Sequence, residues 1–198
     1  MPRASRRSPE PDGRTLRSER SRGSMVAALF ELVGEGVLRP TAQQVAERAG
    51  VGIRSVFRHF EDMDTLYAEM DARLRSEAEP LLRAAPPEGS LERRGRALAA
   101  QRAALFERIA PYKRAGNLAR ASSRYLQATH RGLVRELRAD LRRWLPEVAK
   151  APQAIADALE LVTSFEAWDR LRVEQNLSAP RARAALEDGV LALLRALR

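Results

Sequence analysis

The chain has 198 residues, 44% of them hydrophobic, enough for a core in one ordinary domain or two small ones. It has no cysteine and only two histidines, His59 and His130, which excludes a disulfide framework, thiol catalysis, cysteine-ligated zinc and a histidine-rich metal centre. The formal net charge is +9, but residues 1–75 carry 13 Lys and Arg against 11 Asp and Glu, while residues 76–198 carry 22 against 15, so total charge does not single out a nucleic-acid-binding region.

Residues 1–17, rich in Ser, Pro and Arg and without apolar periodicity, read as a disordered basic arm, a solvated tail or a reach of Arg3, Arg6, Arg7, Arg14 and Arg17 towards DNA. A first helix is predicted over 18–34, with Met25, Leu29 and Leu32 as its buried stripe and Gly34 and Gly36 ending it. Then comes the stretch TAQQVAERAGVGIRSVFRHF, residues 41–60. Thr41 is in N-cap position with Gln44 three residues on, Val45 and Ala49 share a face, and Gly50 stands where a helix C-terminus needs a left-handed backbone. Gly52 opens a second short helix with Val56, Phe57 and Phe60 supplying its apolar side and Arg54 and Arg58 one turn apart. Two helices joined by a glycine-bearing turn of three to four residues form the helix-turn-helix pattern, whose second helix enters the DNA major groove.

Asp62 is placed to cap a fourth helix carrying Leu66, Tyr67, Met70 and Leu74 inward, with Pro80 bending or ending it. Ala85–Ser90 is a break, and Leu91–Ile109 is helical. Pro111 is expected to open a short segment to Gly116, followed by a long helix over 118–145 and a loop between Pro146 and Pro152. Two final helices are predicted over 152–176 and 178–197. No strand-like alternation and no internal repeat occurs, so the fold class is all-α, with about nine helices. No apolar run approaches the roughly 18 residues of a membrane span and no secretory leader is visible, so no membrane partner and a cytoplasmic location are expected.

Residues 24–70 resemble the DNA-binding domain of the TetR family of bacterial transcriptional regulators. The resemblance runs without a gap through Ala27-Ala28-Leu29, Gly36, Thr41, Val45 to Val51, Phe57, His59, Phe60 and Leu66. It implies a helix-turn-helix domain over 18–61 and an effector-binding and dimerisation domain over 62–198, entered by a connecting helix at 62–79. It further implies a homodimer formed through the last two helices, a double-stranded DNA operator that is nearly palindromic, a small-molecule effector and no cofactor. A repressor is the expected sign.

Arginine bridges guanine O6 and N7, which makes Arg54 and Arg58 the expected base readers, with Ser55 a short polar contact and Ile53 a partner for a thymine methyl. Thr41 and Gln43 or Gln44 are expected phosphate or base-edge contacts, and the resemblance makes His59 a phosphate contact. Phe57 stands where the family usually has a tyrosine whose hydroxyl meets a phosphate; without that hydroxyl, packing is the alternative role. Met63 replaces the usual phosphate-binding lysine amid Glu61, Asp62 and Asp64, and Gly52 replaces the usual serine cap. That acidic corner motivates a second reading, a helical adaptor with impaired DNA binding.

In the remainder, Arg120, Arg124, Arg131, Arg135, Arg138 and Arg142 fall on one side of the long helix, opposite Leu118, Leu126, Leu133, Leu137 and Trp144. This is most simply a solvated face, the sharper reading being an acidic partner or a second DNA contact. Effector-pocket candidates are Phe106, Tyr112, Tyr125, His130, Phe165 and Trp168, which suit an apolar or weakly polar ligand. An enzyme is disfavoured: Ser122 and Ser123, the only Ser neighbours of a body histidine, lie about two helical turns from His130, roughly 11 Å.

Overall fold

The computed structural model describes residues 13–197, with side chains from Arg17 onward. Among them it holds nine α-helices and no strand. The chain divides into two compact units that part within the fourth helix, between Met70 and Asp71. Leu66, Tyr67 and Met70, in the first turns of that helix, are buried.

In the first unit, α1 (Gly13–Gly34) buries Met25, Val26, Ala28, Leu29, Leu32 and Val33. It starts earlier than expected, so residues 13–17 of the basic arm are helical; a helix already held by tertiary packing extends readily through Arg and Leu. Residues 1–12 of that arm lie outside the described residues. The second and third helices, α2 (Ala42–Ala49) and α3 (Ile53–His59), bury Val45, Ala46 and Val56. The fourth, α4 (Met63–Leu82), is capped by Asp62, whose carboxylate accepts from the Thr65 N–H at 2.8 Å and the Thr65 hydroxyl at 2.9 Å. Pro80 lies inside it without ending it.

The second unit is built on α5 (Leu91–Ala119), capped by Ser90. This helix runs through Pro111, where the sequence suggested a break. A proline inside a helix costs about 3 kcal/mol. Burial of Ile109, Ala110, Tyr112 and Ala115 on both sides of the proline keeps the helix on course. The long helix therefore begins later than expected, as α6 (Arg124–Trp144), after a 3-10 turn over Arg120–Ser122. Ser123 caps it by accepting from the Leu126 N–H at 3.0 Å. Leu118 consequently belongs to the last turn of α5, where it is exposed.

The predicted helix over 152–176 is divided. α7 (Gln153–Val162) stops where the Thr163 hydroxyl donates to the Leu159 carbonyl at 2.7 Å. Ser164 then caps α8 (Phe165–Asp169) by accepting from the Ala167 N–H at 3.1 Å, and a π-helical turn follows over Arg170–Glu174. Two hydroxyls in succession competing for backbone groups explain the interruption. The last helix, α9 (Ala179–Arg195), is capped by Ser178 and lies along α5, burying Ala182, Leu186, Val190 and Leu194. The two helices come close at Gly95: a Cβ there would stand 2.6 Å from Leu194 Cδ1.

Leu98, Leu105, Phe106, Leu159, Phe165 and Trp168 centre this core, with the Phe106 and Phe165 rings edge to face at 5.8 Å. One ion pair lies inside it. Arg102, fully buried, donates to Asp140 at 2.8 Å, to the Leu137 carbonyl at 2.9 Å and to Gln101 at 3.1 Å, pinning α5 to α6. Burial pushes the guanidinium pKa down and Asp140 opposes that, but an arginine stays charged in any protein interior.

Candidate nucleic-acid interface

The site is a short helix held rigidly at both ends. At the start of α2, the Thr41 hydroxyl accepts from the Gln44 N–H at 3.2 Å while the Gln44 side chain accepts from the Thr41 N–H at 2.9 Å, a reciprocal capping box. At its end Gly50 takes a left-handed backbone, φ 66°, and the Val51 N–H reaches back to the Ala46 carbonyl at 3.0 Å. That 6→1 bond with a left-handed glycine is a Schellman close, and it turns the chain sharply into α3.

Two arginines that the spacing did not single out brace this turn. Arg48 makes paired bonds of 2.8 Å to the carboxylate of Glu35, fastening α2 to the end of α1 and holding the Glu35 carboxyl below its ordinary pKa. Arg22 of α1 donates to the His59 carbonyl at 2.7 Å and to Glu69 of α4 at 2.7 Å, with its guanidinium 4.6 Å from the centre of the Phe60 ring. A cation at the last carbonyls of α3 is favourably placed against the helix dipole. The only sequence signal for Arg48 was a cation in the last turn of α2; for Arg22 there was none.

With Val56 inward, α3 turns Ile53, Arg54, Phe57 and Arg58 outward. Arg58 donates to the Ser55 hydroxyl at 3.2 Å, folded back along its own helix. Phe57 does not pack into the unit: it is 60% exposed. His59 is half-buried, and burial, with Arg58 and Arg22 nearby, holds its imidazole below the ordinary value. A neutral ring can still donate one N–H to a phosphate. Thr41 and Gln44 direct their side chains to their own helix end, and Gln43, exposed like them, donates to Glu47 at 2.6 Å. The acidic corner keeps its charge: Asp62 is turned onto Thr65, whose hydrogen bonds hold its carboxyl below the ordinary pKa.

In the second unit, Phe106, Phe165 and Trp168 are core residues, the Trp168 indole N–H donating to Glu107 at 3.1 Å. Tyr112 is buried as well. Tyr125 and His130 are half-buried: the Tyr125 hydroxyl donates to Asp71 at 3.1 Å, and Lys113 Nζ lies 2.5 Å from His130 Nδ1. Ser122 donates to the Ala119 carbonyl and Ser123 caps α6, so neither hydroxyl is set against His130. On the basic face, Arg124, Arg131, Arg135 and Arg142 are exposed, whereas Arg138 is bound to Glu160 of α7 by two bonds of 2.7 Å. Among the described residues no three acidic or histidine side chains gather as a metal site, and no helix is long and apolar enough to cross a membrane.

An all-α chain whose N-terminal unit presents arginines on the second helix of a helix-turn-helix is of the class that binds DNA. Residues 25–70 match the model of the bacterial regulatory proteins of the tetR family. Residues 25–70 are thus the helix-turn-helix domain of the TetR family of transcriptional regulators. The fold of the chain is similar to the crystal structure of a transcriptional regulator from Rhodococcus sp. Rha1, with a TM-score of 0.67 at 22% identity over 90% of this chain and 96% of that one. No curated protein matches the chain.

Proposed function

We propose that this regulator acts as a homodimeric, effector-responsive repressor of a nearly palindromic operator. The observation that carries the DNA half is the outward row of Arg54 and Arg58 on α3, a helix fixed by the capping box, the Gly50 close and the Arg22 brace. In this reading Arg54 and Arg58 hold guanines, Ser55 adds a polar contact, and His59, Thr41, Gln43 and Gln44 contact the sugar-phosphate backbone or base edges.

Dimerisation is supported by α7 and α9. They touch where a Cβ on Gly189 would come 3.3 Å from Val162, and together they leave Ala154, Leu161, Ala185 and Ala192 exposed, Leu161 at 66%. An apolar, small-residue surface of this kind suits a self-complementary two-fold contact. The effector is apolar or weakly polar and binds in the second unit, with the half-buried Tyr125 and His130 as its polar contacts. Effector and operator compete by a coupling of about 1–3 kcal/mol.

Selection of bound fragments from random and genomic DNA tests this reading. Recovery of a two-fold repeated sequence that Arg54→Ala/Arg58→Ala no longer selects, by a protein that sediments as a dimer, supports it. Recovery of no sequence at low salt, or of an unrepeated half-site by a monomer, overturns it.

A further inference from the structure

Phe57 is the feature of α3 that guanine reading leaves unused. The other two phenylalanines of the first unit, Phe30 and Phe60, are buried; Phe57 is 60% exposed, and Ile53, one turn earlier, is 39% exposed. At 100° per residue these two lie on one edge of the outward arc, beside the row of Arg54 and Arg58. A bare ring and a branched aliphatic side chain thus stand in water next to two guanidiniums. The guanidiniums fix the occupant of this surface as a polyanion, because an apolar protein partner would have to bury both charges. Phe57 has no hydroxyl to offer a phosphate. The major groove, meanwhile, displays donors, acceptors and a single kind of apolar group, the thymine 5-methyl.

We propose that Ile53 and Phe57 form an apolar ridge that reads thymine methyl groups, so that the operator half-site carries thymines beside the guanines held by Arg54 and Arg58. The proposal rests on the DNA-binding reading above and adds the chemistry of the sequence bound. Residues four apart rise about 6 Å along a helix. The base step is about 3.4 Å. Two thymines about two base pairs apart therefore lie under the ridge when α3 runs along the groove. The site consequently responds to a change that leaves every hydrogen bond of the base pair intact, the loss of the methyl alone.

The test replaces each thymine of the selected operator, one at a time, by deoxyuridine, with Kd measured at fixed salt. Wild-type protein is expected to lose about 4-fold per contacted methyl at one or two positions in each half-site. Phe57→Ala should bind the thymine and deoxyuridine operators alike at the Phe57 position, and Phe57→Leu should restore part of the difference. Phe57 is exposed, so both variants keep the fold, which thermal melts check. The proposal is overturned if every deoxyuridine operator binds within 2-fold of the parent while Arg54→Ala still abolishes binding. If wild-type protein selects no operator at all, the DNA-binding reading fails first and this one with it.

Discussion

Gly50 is the position where one added methyl group does most harm to the helix-turn-helix. Its φ of 66° is a left-handed backbone, and nothing lies within 4 Å of where a Cβ would stand, so the whole cost of a side chain is conformational. Gly50→Ala should destabilise the first unit by about 1–2 kcal/mol, read as a lower urea midpoint with unchanged slope. Gly52, two residues on, has an ordinary φ of −72° and caps α3 without a side-chain bond. Gly52→Ser should be neutral or stabilising by a few tenths of a kcal/mol. Both glycines were visible in the sequence as turn residues, and the Thr41/Gln44 cap was visible as a spacing. What spacing could not show was which way Phe57 faces. Its neighbour Val56 is buried and its neighbour Arg58 exposed, so the ring sits at the edge of the arc where either outcome fits the helical period.

Between elements, the decisive contact is Arg102 with Asp140, because it pins α5 to α6 from inside the core with both side chains withdrawn from water. The Arg102 Nε has no acceptor among the described residues, so the pair is imperfectly compensated even when intact. Asp140→Leu alone should cost about 3–5 kcal/mol by stranding a buried charge. Arg102→Met with Asp140→Leu should recover most of that loss, a difference that a double-mutant cycle on unfolding free energies measures directly. No feature of the sequence marked this pair. Arg102 lies in a helix rich in arginine, and only the third dimension shows that α5 turns it inward. The helix boundaries failed for the same reason in both directions. Pro111 is overridden by burial on each side of it, whereas Thr163 and Ser164, set in a mostly apolar stretch that reads as continuous helix, divide it because their hydroxyls find nearer backbone partners.

At the scale of the molecule, stability should depend on pH through its two histidines. Burial is the main cause that holds His130 below its ordinary pKa; Lys113 and Arg120 add to it, Glu166 opposes it, and Arg131 adds a little more. His59 is shifted the same way. In the unfolded chain an imidazole takes up its proton near pH 6.5. The folded chain resists protonation to lower pH, so just below 6.5 the unfolded state binds more protons. Stability is therefore full above about 6.5 and falls as the pH drops towards the folded value. Urea midpoints should be lower at pH 5.5 than at pH 7.5, and His130→Gln should make that difference smaller. An unchanged or reversed difference in the wild type would contradict the assignment. Further down, Asp62, Glu35 and Glu147, all held below their ordinary values by hydrogen bonds, add a second loss of the same sign.

The notch at Gly95 sets what kind of motion the second unit permits. Leu194 occupies the space that a side chain on α5 would need, and Val190 and Leu191 stand on either side of it. Sliding α9 along α5 by a turn, about 5.4 Å, would carry that leucine out of the gap and against Leu91 or Leu98, the same-face neighbours that carry full side chains. The two helices are thereby keyed like a tooth in a rack with a single gap: they can tilt about the notch, but they cannot shift gear.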